Sequence, residues 1–561
     1  MESKMKVKKG PNFFIKGIIV VLFVIVVGII INVAPNYIDT QIKDKINLIV
    51  NNNNVTLSLK KDIYVDENEV IYLSKEDIEN FFDGNIYYDE KYNQIVTGSN
   101  TKLAALPIDK KEIEVNSSKV RILGAVTKNE ENYYIPFSEL AKIYNVEVKY
   151  IRKNNVVVIE SLEREKKMAN ISKNCQIKSL PTIFSRSVEN VEQGNNVVIV
   201  PTNEELDGWV KVRTESGKLG YTKEIANTYI VRETMKEEKQ IQGKISLVWD
   251  YYSEYASAPT RTEPIAGINV VSPSFAILKD EGKGELVTNI GEKGRAYVEW
   301  AHSNGYKVWP MISNNSYIQT TSDILNDYKL REKLINNIME IVSEYKLDGI
   351  NIDFENMYEK DKKMFSRFII ELAPRLKEYG KVLTVDVTAP DGSATWSLCY
   401  DRNLIGKVAD YVAFMAYDQY GTSSKKAGTT GGCDWVEVNI NKFIGTQEEV
   451  PAEKLILGMP LYTRLWWNTA DGSEESTAIS MKNVNKYIPN GVQKQWDDNL
   501  KQNYVQYDKD GRTYKMWIED EQSAMARFEL MKKYNLAGAA YWQKGYEYDG
   551  YWDFVNTLIN E

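Results

Sequence analysis

A single histidine and three cysteines are all that 561 residues offer toward metal or triad chemistry. With His302 alone, no His/Cys zinc site assembles. A Ser-His-Asp triad would have to run through that one residue, which precedes Ser303-Asn304-Gly305 at what reads as a helix end. Acid–base chemistry therefore falls to carboxylates, and the sequence calls for no metal and no cofactor. Cys175, Cys399 and Cys433 suggest no disulfide framework and read as free thiols, with a Cys399–Cys433 bridge left open. Basic excess is also missing: 70 basic against 78 acidic residues give a net charge of −8. Phosphate binding needs a concentrated basic surface, so no nucleic-acid partner is expected.

A small-x-small cleavage site is missing as well, and this shapes the reading of the N-terminus. Lysines at 4, 6, 8, 9 and 16 precede an uncharged apolar run, Gly17 to Ala34, with Pro35 directly after it. At about 1.5 Å per residue such a run nearly spans a hydrocarbon core. The expectation is a cytoplasmic basic tail (1–16) and an uncleaved signal-anchor (17–34). That places a single-pass protein in the cell membrane with everything after Pro35 outside.

What is present is ample core-forming material, 43% apolar with 36 tyrosines and 12 tryptophans, enough for about three or four domains. Residues 46–162 look like two copies of one unit, Ser74 and Ser138 corresponding at an offset of 64. Each copy predicts a strand, a Ser-capped short helix, a strand, a turn and a strand. This duplicated α+β pattern resembles the N-terminal domain of some copper amine oxidases, and implies a spacer or wall-binding module. Residues 166–235 contain GWVKVRTESGKLGYTKEI, which resembles the bacterial SH3-like barrel; the resemblance implies peptidoglycan contact, with a plain spacer left open.

From 243 to 561 strands alternate with amphipathic helices, the arithmetic of a (β/α)8 barrel. The strands are expected at 245, 268, 307, 349, 382, 411, 455 and 538. One long helix is read from Asp323 to Lys346. A stretch from about 463 to 517 is too long for one loop and reads as a small insertion with a hairpin at Lys509-Asp510-Gly511.

The run LDGINIDFEN, 347–356, alternates Asn351, Asp353 and Glu355 with Ile350, Ile352 and Phe354. In a barrel strand the apolar set belongs against the helices, so the polar set points inward. Barrel interiors are normally filled by branched aliphatics. Two carboxyls there incur a burial cost of several kcal/mol, and they stand at the strand end where barrel active sites lie.

This run is similar to the DxxDxDxE signature of glycoside hydrolase family 18, which includes chitinases and endo-N-acetylglucosaminidases. FMAYDQYG, with Met415, Tyr417 and Asp418, resembles the family's MxYD, and AAYWQKGYE places Trp542 where the family has its floor tryptophan. The resemblance implies substrate-assisted, retaining cleavage of N-acetylglucosaminyl bonds, the substrate's 2-acetamido oxygen acting as nucleophile. It implies Glu355 as general acid/base, Asp353 as partner of the acetamido N–H, and Tyr417 as donor to its oxygen. Trp542 would floor the sugar pocket. Asn351, Met415, Asp418 and Arg464 would line or hold the site, Arg464 being equally suited to anchoring the insertion. One position departs from the chitinase pattern, which has Asp where Asn351 stands. Spore-cortex and cell-wall glucosaminidases resemble this chain there, so bacterial wall glycan is the expected substrate. Chitin oligomers, N-glycans and a non-catalytic sugar-binding barrel stay open as alternatives.

Overall fold

The computed structural model describes residues 41–42, 44–234, 239–253, 256–288 and 290–559. The apolar run at 17–34 lies outside them. Among the described residues no helix is long and apolar enough to cross a membrane. A span takes about 20 apolar residues, whereas the longest described helix, Tyr328–Glu344, has 17 and carries charged side chains on one face. The expectation of a single-pass membrane protein is corrected on this finding.

The described chain forms two compact units, one mainly residues 44–237 and one mainly 238–561. In the first, the two segments read in the sequence as copies each hold one tyrosine-to-asparagine hydrogen bond. Tyr88 OH donates to Asn93 Oδ1 at 2.7 Å, and Tyr150 OH donates to Asn155 Oδ1 at 2.8 Å. Both asparagines turn the chain with positive φ, 48° and 54°. The copies differ at their helices. Ser74 caps Lys75–Phe81 by accepting the Asp77 N–H. In the second copy the segment Phe137–Leu140 is only a 3-10 turn. Ser138 lies inside that turn and its hydroxyl accepts the Ile71 N–H at 3.0 Å, binding the copies together instead of capping.

Residues 166–232 form an antiparallel seven-stranded sheet. Its core holds Ala169, Ile171, Ile177, Val191, Val197 and Val212.

The second unit is a closed barrel of eight parallel strands: β1 (Ile245–Asp250), β2 (Val270–Leu278), β3 (Met311–Ser313), β4 (Gly349–Asp353), β5 (Val382–Val387), β6 (Tyr411–Phe414), β7 (Leu455–Pro460) and β8 (Gly538–Trp542). Each pairs with the next, and β8 pairs back onto β1. All eight expected strands are present in the expected order. Two apolar layers follow from the alternation. Ile350, Ile352, Phe354, Val412, Phe414 and the helices' apolar faces fill the outer layer. Leu247, Trp249, Trp309, Met311, Tyr411 and Ala413 fill the interior, with Trp309 stacked on Tyr411 at 5.7 Å.

The expected single helix from Asp323 is two helices, Ile318–Leu325 and Tyr328–Glu344. Asp327 breaks it: its backbone is extended and its side chain caps the second helix through the Leu330 N–H. A buried ion pair, Arg331 to Glu371, then ties this helix to Lys362–Lys377, both bonds lying at 2.7–2.9 Å.

Between β7 and β8 the chain builds a five-stranded antiparallel sheet, its strands running from Tyr462 to Ile518. Its hairpin turns at Asp510 and Gly511, φ 50° and 73°, between the paired residues Lys509 and Arg512. Two positive-φ residues in a two-residue loop are the geometry whose twist matches the flanking strands.

Candidate active site

β4 delivers its polar residues to the barrel's interior and mouth. Asn351 is fully buried and every polar atom of its amide is used. Its Oδ1 accepts the Trp249 indole N–H at 2.8 Å and the Ser272 hydroxyl at 3.2 Å. Its Nδ2 donates to Asp386 Oδ1 at 2.6 Å. Two donors facing the oxygen and a carboxyl facing the nitrogen fix which way the amide points.

Two residues on, Asp353 is buried and its Oδ1 has no hydrogen-bond partner. Burial pushes its pKa up to about 7. Glu355 follows at the strand's end, half-buried. Burial first, then the charges of Asp353 and Asp418, raises its carboxyl well above the ordinary range. Asp386 is raised as well, by burial and then by Asp353, while the Asn351 hydrogen bond pulls the other way. The arginines Arg261 and Arg464 are paired with Asp250 and Asp418. Three adjacent carboxyls without counter-charge favour their protonated forms.

The backbone around Glu355 is clamped. Tyr400 OH donates to the Phe354 carbonyl at 2.7 Å, and the Phe354 ring stacks on Phe368 at 5.5 Å. The Glu355 N–H and carbonyl both bind the side chain of Asn314. With Phe354 locked in the outer layer, the next side chain is directed to the mouth.

At the end of β6, Met415 is buried and Tyr417 half-buried, in register with the inward-facing Ala413. The absence of a side chain at Gly458 makes room for them: a Cβ there would lie 2.6 Å from the Phe414 carbonyl and 3.3 Å from the Tyr417 ring. Burial, then Asp386 and Tyr462, holds the Tyr417 phenol well above its usual pKa, so it is a proton-bearing donor. Trp542, ending β8, is half-buried. It packs against Trp249 at 5.9 Å and Tyr251 at 5.7 Å, and Trp249 in turn meets Tyr417 edge-on at 6.5 Å.

Of the residues singled out in the sequence, Asn351, Tyr417 and Trp542 meet at Trp249, and Asp353 and Glu355 follow Asn351 along the same strand direction. Met415 is buried. Asp418, whose charge also acts on Glu355, pairs with the buried Arg464 at 3.3 Å and accepts the Tyr462 hydroxyl at 2.7 Å. Arg464 belongs to the first insertion strand, so this contact fastens the insertion to the loop after β6. Asp386, Trp249, Asn314 and Tyr462 are site residues that sequence reasoning missed. Asp386 carried a signal, being the one carboxyl on a largely apolar barrel strand, VLTVDV. Asn314 carried none.

The arrangement brings together a carboxyl of raised pKa, a second buried acid, a phenol and an aromatic surface. Comparison with known proteins agrees with a carbohydrate-processing site. The family described as Glycosyl hydrolases family 18 matches residues 248–547. The putative sporulation-specific glycosylase YdhD of Bacillus subtilis (strain 168) is 31% identical over 237 residues, 42% of this chain and 55% of that protein. The cortical fragment-lytic enzyme of the same organism is 27% identical over 266 residues, 45% of this chain and 60% of that protein. The chain thus spans under two thirds of the length of either. The crystal structure of the Bacillus cereus spore cortex-lytic enzyme SleL aligns with a TM-score of 0.49 at 19% identity, covering 59% of this chain and 76% of that one.

Proposed function

The chain belongs to glycosyl hydrolases family 18 and is a glycosidase, and from that premise we propose that it cleaves β-1,4 N-acetylglucosaminyl linkages in bacterial cell-wall glycan. One observation carries the reading: Glu355 stands half-buried just past β4, two residues beyond the buried Asp353, where burial and the charges of Asp353 and Asp418 raise its pKa. A general acid must keep its proton near the working pH until the leaving oxygen takes it. Glu355 gives its proton to that oxygen. The sugar's own 2-acetamido oxygen closes on the anomeric carbon, Asp353 receives the acetamido N–H, and Tyr417 donates to the acetamido oxygen. Glu355, now a carboxylate, takes a proton from water as it opens the ring intermediate, and the anomeric configuration is retained. Trp542 supplies the apolar floor under the sugar, and Asp418 with Arg464 holds the pocket.

Asn351 supports wall glycan over plain chitin, being an amide where the chitinase pattern has a carboxyl. The names of the two curated relatives, a sporulation-specific glycosylase and a cortical fragment-lytic enzyme, favour the same substrate. Residues 166–232, which resemble a bacterial SH3-like barrel in sequence, are assigned to holding wall peptides.

The test is digestion of purified wall glycan and of chitin oligomers by the full chain, the first-formed anomer being read by proton NMR. Release of β-anomer reducing ends, faster from wall glycan, is expected. Release of α-anomer would overturn the mechanism, and preference for chitin would overturn the substrate.

A further inference from the structure

The orphaned Oδ1 of Asp353 has a neighbour on the next strand. β4 and β5 pair in parallel with Asn351 opposite Thr384 and Ile352 opposite Val385. The next residues along, Asp353 and Asp386, therefore stand side by side, about 4.8 Å apart in backbone position. Both are buried, 9% and 1% exposed. On the opposite side Asp353 pairs with Ser313, whose hydroxyl is turned to accept the Asn315 N–H at 3.0 Å. One oxygen of Asp386 is occupied by the Asn351 amide at 2.6 Å. An amide carries no titratable proton, so Asn351 cannot exchange one with Asp353, but it orients a carboxyl that can.

We propose that Asp386 is a positioning residue for the reaction: it shares one proton with Asp353, restoring across two strands the carboxyl pair that Asn351 removes from β4. This rests on the reading of Asp353 and Glu355 given above. The proton resides on Asp386 when Asp353 must be an anion to receive the acetamido N–H, and no proton enters or leaves the pair in that exchange. The groups facing Asp386 are Asp353 and Glu355 from β4, the Trp249 indole from β1, and Tyr417 at the end of β6. Tyr462 and Asp418 lie beyond Tyr417. All the titratable members are acids or phenols, so every neighbour charge resists full ionisation of the pair. The raised pKa of Asp386 is in accord with this.

The proposal makes two substitutions behave oppositely. Asp386→Asn keeps a donor toward Asp353 and an acceptor toward Asn351, imitating the protonated acid. Asp386→Ala keeps neither. With the full chain, Asp386→Asn is expected to retain kcat within about threefold. Asp386→Ala loses about tenfold or more in kcat at nearly constant KM, and the acid limb of its pH profile moves up by about one pH unit, since a lone buried carboxylate lacks the donor that favours its charged form. Equal impairment of the two variants, or wild-type profiles in both, would overturn the proposal. A second readout needs no turnover. In infrared difference spectra near pH 8 the wild type should show a carboxylic-acid carbonyl stretch that Asp386→Asn lacks; identical acid bands would sink proton sharing. Failure of the wild type to cut any glycan would instead count against the functional reading, and the infrared comparison would still decide the pair.

Discussion

The side chain of Asn314 holds both backbone groups of Glu355: its Oδ1 accepts the Glu355 N–H at 2.9 Å, and its Nδ2 donates to the Glu355 carbonyl at 2.8 Å. The same nitrogen donates to Thr321 Oγ1 at 3.0 Å, so the clamp is itself anchored to the helix Ile318–Leu325. A displacement of the acid by a fraction of an ångström weakens proton transfer more than sugar binding. Asn314→Ala is expected to lower kcat about tenfold while KM stays nearly constant. Steady-state kinetics check this, and a change confined to KM would contradict it.

Tyr417 is assigned one task, donating to the acetamido oxygen as charge develops there. Tyr417→Phe keeps the ring packed on Trp249 and Tyr462 and removes only the hydroxyl. Loss of one such donor typically costs about a hundredfold in kcat. Thermal stability of the variant should match the wild type. Unchanged kcat would remove Tyr417 from the mechanism.

Trp542 is expected to act on binding instead. Its exposed face is an aromatic surface backed by Trp249 and Tyr251. Trp542→Ala should raise KM for oligosaccharides by about tenfold, the equivalent of about 1.4 kcal/mol of lost stacking. Calorimetric binding of an oligomer to a Glu355→Gln background isolates this term, and equal affinities with and without Trp542 would contradict it.

Burying Asp353 has a consequence for stability. Its pKa stands at about 7 in the folded chain, against about 3.9 in an unfolded one. Between those values the folded chain holds a proton that the unfolded chain has released. Its contribution is therefore fully present below about pH 4 and is lost as pH rises through 7. Asp353→Asn removes the penalty, so its Tm should exceed that of the wild type more near pH 8 than near pH 5. The difference at the higher pH is expected to be on the order of 4 kcal/mol. A pH-independent gap would contradict the burial account.

Much of this was legible before any coordinates. The period-two alternation of 350–355 placed Asn351 and Asp353 inward because the apolar set, Ile350, Ile352 and Phe354, had only the helix layer to fill. Eight such strands in order were enough for the barrel. The break at Asp327 was less legible, because the apolar spacing runs through it and only the capping geometry shows where one helix ends. The altered fate of Ser138 depends on a partner 67 residues away, Ile71, which no local pattern reveals. Asn314 was missed for the same reason, whereas Asp386 stood out as a carboxyl on its strand but its partner did not. Each matters through a neighbour on another strand, and pairing register is a property of the closed barrel.

The most direct test of the central claim is the rate of reducing-end release from purified wall glycan by the full chain, compared with its Glu355→Gln variant. An amide at 355 preserves shape and cannot supply the proton. The account predicts cleavage by the wild type and a loss of about a thousandfold or more in the variant, with glycan binding retained. Equal rates for the two proteins, or binding without cleavage by either, would contradict it.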